Sequence, residues 1–224
     1  MKQKTILFDI NETVLNLNTL KPKFKEVFGD DSVMTIWFSM LLHSSTVCIT
    51  TGIKTDFATL AGAMLESIAA RMEIELSNSM RDSILSGFAS LEPHSDIKPA
   101  LTQLKSAGFR TVAFSNSSLN LISTQMKNSG LTSYFDSIIS VEETGSFKPD
   151  PKVYRYAAKR LNLPLEALRL VATHDWDTHG ALSVGMSAAY INRSGAMYHP
   201  LYRRPDICEA TMENIVNQII KNDS

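Results

Sequence analysis

Asp9 closes a short apolar run, Thr5-Ile6-Leu7-Phe8, and opens a polar stretch, Asn11-Glu12-Thr13. A carboxylate at the end of a hydrophobic strand has three uses: nucleophile, metal ligand or helix N-cap. Asp9 alone does not choose among them. Three further polar groups stand at comparable places. Ser115-Asn116 follows Thr111-Val112-Ala113-Phe114, Lys148 comes soon after Ser137–Ser140, and Thr173-His174-Asp175-Trp176-Asp177 follows Leu168–Ala172. Side chains at the carboxyl ends of parallel strands meet in one crevice however far apart they lie in sequence. That convergence is the physical case for an active site.

The elements that must position these groups are legible in the hydrophobic pattern. Thr5 to Phe8 has no helical period and reads as a buried parallel strand. From about residue 15 to about residue 90, Trp37, Met40, Leu41, Phe57, Leu60, Met64, Leu65 and Ile68 recur at helical spacing, with Gly and Pro scarce among them. Several packed helices follow from that pattern. After Glu92-Pro93 helices and strands alternate. Helices are expected at Lys98–Ser106, Leu119–Asn128, Pro151–Leu161, Asp177–Val184 and Thr211–Ile220. Strands are expected at Arg110–Phe114, Ser137–Ser140, Leu168–Ala172 and Ser187–Ile191. The fold class is α/β, a Rossmann-like parallel sheet core with an inserted α-helical cap. Residues 1–14 and 92–224 form the core and 15–91 the cap.

Phe8-Asp9-Ile10-Asn11-Glu12-Thr13 resembles the first motif of the haloacid dehalogenase superfamily, an Asp followed four residues later by Thr. Ser115-Asn116 resembles the second motif, Lys148-Pro149-Asp150-Pro151 the third, and Thr173 to Asp177 with Gly180-Ala181 the fourth. All four occur in order, and the resemblance covers nearly the whole chain. It implies that Asp9 is a covalent nucleophile and that Thr13 and Ser115 hydrogen-bond carboxylate or substrate oxygens. It further implies that Lys148 holds Asp9 ionised, and that Asp177 orients Lys148 or the hydrolytic water. A cation within ~4–6 Å lowers a carboxylate pKa, and the ionised Asp is the competent nucleophile.

The superfamily's phosphatases carry an acidic residue two positions after the nucleophile, as acid and base for the leaving group. That position is Asn11 here, and an amide transfers no proton usefully. Their magnesium site opens the fourth motif with Gly-Asp, where this chain has Ala172-Thr173. Displacement of halide by a carboxylate needs neither device. Tyr154, Trp176-Asp177 and Ile191-Asn192-Arg193 are similar to the 2-haloacid dehalogenase branch in particular. Three positions depart from that branch: Asn11 replaces Tyr, Phe38 replaces the Arg after the cap tryptophan Trp37, and His174 replaces Asn. The resemblance therefore implies a metal-free hydrolytic dehalogenase of small 2-haloacids, with an altered pocket. Ile10, Asn11, Asn116, Tyr154, His174, Trp176, Trp37, Phe38 and His43 form the expected substrate-binding set. Two alternatives stand beside it: a magnesium-dependent phosphatase with an atypical site, and a non-catalytic protein that binds small acids.

Composition is consistent with this. The 224 residues are 44% hydrophobic, enough for a sizeable core, and the formal net charge is −1. A near-neutral chain without a basic block gives no sign of nucleic-acid binding. No apolar run reaches the ~20 residues of a membrane span. The apolar stretch after Met1-Lys2-Gln3-Lys4 is too short for a signal sequence. The two cysteines, Cys48 and Cys208, form no metal pattern and read as buried thiols. A cytoplasmic enzyme, with a homodimer as one assembly, is the expectation. Glu12 reads as an exposed loop charge, His179 as a helix-surface residue, and Tyr202-Arg203-Arg204-Pro205 as a solvated loop.

Overall fold

The structure, a computed structural model, describes residues 5–223. Met1 to Lys4, part of the leader reading above, lie outside the described residues. β1 (Thr5–Phe8) is a central strand of a six-stranded sheet that contains β2 (Arg110–Ser115), β3 (Ser137–Ser140), β4 (Leu168–Ala172), β5 (Ser187–Ile191) and β6 (Ile207–Glu209). The order is β3-β2-β1-β4-β5-β6, with every pairing parallel. Ile6, Leu7 and Phe8 are fully buried, as the strand is covered on both faces. Phe8 pairs with Ala113 on one side and Val171 on the other. Asp9 therefore leaves the sheet level with the ends of β2 and β4, and its N–H still reaches Val171 O at 3.0 Å.

Helices α5 (Ile97–Ser106), α6 (Leu119–Asn128), α7 (Pro151–Leu161), α8 (Asp175–Ser183) and α9 (Met212–Asp223) connect and follow these strands. Their starts carry local signals. Ser118 caps α6 by accepting from Leu121 N–H, and Asp150 caps α7 by accepting from Lys152 N–H, with Pro151 in the first turn.

Between β1 and β2 lie α1 (Lys21–Phe28), α2 (Val33–Thr51), α3 (Phe57–Arg71) and α4 (Asn78–Gly87), which pack on one another. Trp37 sits at their centre, fully buried, with ring centroids 5.2 Å from Phe24 and 5.5 Å from Phe88. Its indole N–H donates to Ala61 O at 3.0 Å, which satisfies the one polar atom it buries. Gly52 ends α2 at φ 74°, a left-handed turn that a side chain would oppose.

Four expectations change. α2 is 19 residues with mean hydropathy 1.4, long and apolar enough by those measures to cross a membrane, where the sequence reading found no such run. Its Trp37, Phe38 and Leu41 are instead buried in the protein. α8 begins at Asp175, not Asp177, so both aspartates stand in its first turn, where the helix dipole favours negative charge. β6, three residues at the sheet edge, was not anticipated; so short a run carries no readable alternation. Cys208 is half-buried on that edge strand, with Sγ 3.6 Å from Pro205 O, while Cys48 is buried as expected.

Candidate active site

Asp9 is 6% exposed, and both its oxygens are held. Lys148 Nζ donates to Oδ1 at 3.1 Å and Thr13 Oγ1 donates to Oδ2 at 2.7 Å. Thr13 can aim its proton this way because its oxygen accepts Thr173 N–H at 2.9 Å. Lys148 is 1% exposed and spends its three N–H groups on Asp9, Phe114 O (2.9 Å) and Asp177 Oδ2 (2.9 Å). Its own N–H donates to Asn116 Oδ1 at 2.9 Å, so the β2 end positions the lysine loop. Asp177 is fully buried, and its Oδ1 accepts the Tyr154 hydroxyl at 2.6 Å.

Burial alone would push Asp9 toward neutrality. The cations Lys148 and His174 outweigh it and hold the carboxyl well below the usual range. Burial works against the Lys148 charge too, but Asp177 and Asp9 raise its pKa. Asp177 is pushed up, first by burial and then by the Asp9 charge. Burial and Asp177 together push the Tyr154 hydroxyl well up, so it stays a donor.

His174 adds a second cation. Its Nε2 lies 2.7 Å from Glu12 Oε2 and its Nδ1 3.2 Å from Asp9 Oδ2. Burial disfavours the imidazolium, yet the two carboxylates raise it to about 10. The ring stacks on Trp176 at 5.0 Å and meets Phe38 of α2 at 6.3 Å. Glu12, expected to be a free loop charge, is thus an ion-pair partner within the site. Its backbone has φ 66°, a left-handed conformation that costs a non-glycine residue about 1 kcal/mol or more. Glu12 N–H donates to Leu15 O at 2.8 Å, and the Glu12 carbonyl accepts from His94 Nε2 at 3.0 Å, which hold the turn.

The other expected residues divide. His43, Trp176 and Lys148 line one cleft of about 240 Å³ between α2 and the sheet ends, together with Leu42, Pro149 and Tyr202. Ser115 and Asn116 are buried at the β2 end, where Ser115 Oγ accepts Ser117 N–H at 3.2 Å. Asn11 donates to Ser117 Oγ and accepts from Gln125 Nε2, both at 3.2 Å, so its amide faces protein. Ile10 is fully buried, and Tyr154 reaches the site only through Asp177. Trp37 is not brought to the cleft; it is core among the helices. Tyr202, read as a solvated loop residue, lines the cleft and stacks between His179 (4.6 Å) and His199 (4.1 Å). No periodicity or motif in the sequence marked it.

Magnesium, which many phosphatases of this superfamily use, does not fit these donors. Lys148 Nζ fills the space between Asp9 and Asp177, and Thr13 and Tyr154 take the remaining oxygens. Asp175 spends its oxygens on Trp176 N–H (2.7 Å) and His199 N–H (3.2 Å). A hard cation would have to displace an ammonium already paired twice.

The profile of the haloacid dehalogenase-like hydrolases matches residues 3–169. An (S)-2-haloacid dehalogenase of Pseudomonas fluorescens is 26% identical over 218 residues, 96% of each chain. A haloacetate dehalogenase of a Moraxella species (strain B) is 24% identical, over 97% of this chain and 98% of that one. The solved structure of the L-2-haloacid dehalogenase of Xanthobacter autotrophicus, with chloropropionic acid covalently bound, superposes with a TM-score of 0.91 at 19% identity. That match covers 99% of this chain and all of the other. The matched profile runs from β1 into β4 and takes in Asp9, Thr13, Ser115 and Lys148, so the protein is a member of the haloacid dehalogenase-like hydrolases.

Proposed function

We propose that the protein is a hydrolytic dehalogenase of small 2-haloacids that works through a covalent ester on Asp9. The observation that carries this reading is an ionised, buried carboxylate beside a doubly paired lysine, with no proton-transferring group at position 11. The relatives named above support the substrate class. Asp9 attacks the halogen-bearing carbon as the carbon–halogen pair departs with the halide, which needs no proton. Water then splits the ester and restores the carboxylate. Lys148 keeps Asp9 ionised, and Asp177, itself fixed by Tyr154, keeps Lys148 in place. His43, Trp176 and Tyr202 wall the acid, and Ser115 and Asn116 bound it at the β2 end. Residues 15–91 act as a cap that excludes water during displacement. The reaction runs without a metal or cofactor, in keeping with the committed donors, and the free thiols suit a reducing cytoplasm.

The direct test is halide release from fluoro-, chloro- and bromoacetate and from 2-chloropropionate, with and without EDTA. Release should survive EDTA and vanish in Asp9→Ala. Release by Asp9→Ala at the parent rate, or a strict need for a divalent metal, would defeat the proposal.

A further inference from the structure

We infer that Glu12 and His174 form a charged oxyanion site for the second half-reaction, hydrolysis of the Asp9 ester; the inference rests on the dehalogenase reading above. His174 Nδ1 is a buried donor that meets Asp9 as an ion pair of poor hydrogen-bond geometry. His174 Nδ1 lies 3.2 Å from Asp9 Oδ2, but off the line a hydrogen bond needs, and it has no other partner. The three Lys148 donors and the Thr13 hydroxyl are all committed. An N–H that meets its carboxylate at a poor angle gains a straighter hydrogen bond if that oxygen moves toward it.

The two oxygens of Asp9 differ. Oδ2 has Thr13 and His174 beside it, while Oδ1 has only Lys148, which lines the cleft. Oδ1 is the freer to attack carbon, and Oδ2 is left as the ester carbonyl. When the water oxygen bonds to Cγ, the carbonyl π pair moves onto Oδ2. Cγ becomes tetrahedral, and Oδ2 swings out of the carboxylate plane with a full negative charge. The Thr13 hydroxyl and the His174 N–H then converge on it. A donor poorly aligned in the resting state and well aligned in the intermediate lowers the barrier rather than only tightening binding. Collapse breaks the Cγ–Oδ1 bond. Oδ1 leaves as the hydroxyl of the product, carrying one water proton; the other goes to solvent. Asp9 is a carboxylate again, and His174 keeps its proton throughout.

Glu12 is a positioning residue in this scheme. It pins Nε2 at 2.7 Å and supplies the negative charge that keeps the ring protonated, at the expense of a left-handed backbone. Trp176 and Phe38 confine the ring on its faces. Two other roles fit less well. A halide leaves from the side of carbon opposite Oδ1, while His174 touches Oδ2. A general base must be neutral, yet Asp9 and Glu12 both favour the proton.

The experiment is rapid-quench halide release from 2-chloropropionate, with intact-protein mass spectrometry, on the full chain, His174→Asn and Glu12→Gln. In His174→Asn, which exchanges the charged donor for a neutral amide, a burst of about one halide per chain should precede a steady rate lowered by up to about 100-fold, the scale of one oxyanion donor. The chain should gain the mass of the esterified acid. Glu12→Gln should show a smaller burst, and its alkaline limit of turnover should move down toward neutrality. If His174→Asn does not fold, Glu12→Gln carries the same two readouts. Turnover by the parent chain with equal loss of burst and steady rate, and no adduct in either variant, would overturn this inference alone. So would an ester-hydrolysis phase that quickens with pH in the parent and not in His174→Asn, since that is the mark of a base. No halide and no adduct from the parent chain would remove the dehalogenase reading and this inference together.

Discussion

An imidazolium between two carboxylates binds its proton more tightly than a free one, and folding inherits the difference. His174 is raised from 6.5 to about 10 by Asp9 and Glu12, against the opposing effect of burial. The folded chain therefore holds this proton where the unfolded chain releases it. The contribution to stability is complete below about 6.5 and is lost as pH climbs through about 10. Asp9 behaves in the opposite sense: its pKa is lowered, so its contribution is present above the ordinary carboxylate range and is lost on acidification. Urea midpoints for the parent and His174→Asn, measured at pH 6 and pH 10, should differ most at pH 6 and converge at pH 10. A constant gap would mean that the folded and unfolded chains bind this proton equally, so that the two carboxylates do not hold it. Asp9, Ser115 and the Thr173–Asp177 group were legible as site candidates because each follows an apolar run, and Thr13 and Lys148 through the ordered motifs they resemble. Glu12 was not, because its partner is 162 residues away and its role depends on a left-handed backbone that no spacing announces.

At the level of elements, α8 works by its closeness to α7. Gly180 lies where a Cβ would come within 2.5 Å of the Tyr154 hydroxyl oxygen and 2.8 Å of Pro149 Cβ. Only the missing side chain lets α8 bring Asp177 against Tyr154 and Lys148. Gly180→Ala should destabilise the protein by about 1–3 kcal/mol, the usual effect of overpacking. It should also lower kcat more than it raises KM, because it pushes Tyr154 off Asp177 rather than blocking the cleft. Circular dichroism melting and steady-state halide release check both halves, and unchanged kcat would show that Asp177 is held without Tyr154. The element pattern explains what else could be read early. β1, β2 and β4 are apolar runs bounded by turns, and α6 and α7 carry capping residues, so periodicity and caps found them. β6 and the Tyr202 loop are fixed by packing against residues distant in sequence. A three-residue strand has too few positions to show a period, and a stacked tyrosine looks in sequence like any exposed one.

Over the whole molecule the carboxyl end of the sheet carries the candidate site, and Arg169 ties the other end together. It stands early in β4, away from the carboxyl ends where Asp9 and Asp177 meet. All five of its N–H groups are used: two on Asp206, two on Asp223 and one on Ala188 O, at 2.6–3.0 Å. One planar fork thus joins β4 to β5, to the segment entering β6 and to the last turn of α9. β6, three residues long, is the one of these that sequence pattern does not mark, and the buried polar tie anchors the segment that enters it. Arg169 is 4% exposed, while the Asp206 side chain is 52% exposed and that of Asp223 17%, so solvent weakens the pairs from the acidic side. Arg169→Met keeps the stem and removes the fork. It should cost about 2 kcal/mol, the scale of charged hydrogen bonds lost with partial re-solvation of the acids. For a chain of this size that is a fall in Tm of roughly 4–8 °C. Halide release measured well below the transition should be unchanged, since the fork touches nothing at the carboxyl end. A large loss of turnover at low temperature with an unaltered Tm would instead couple the two ends of the sheet.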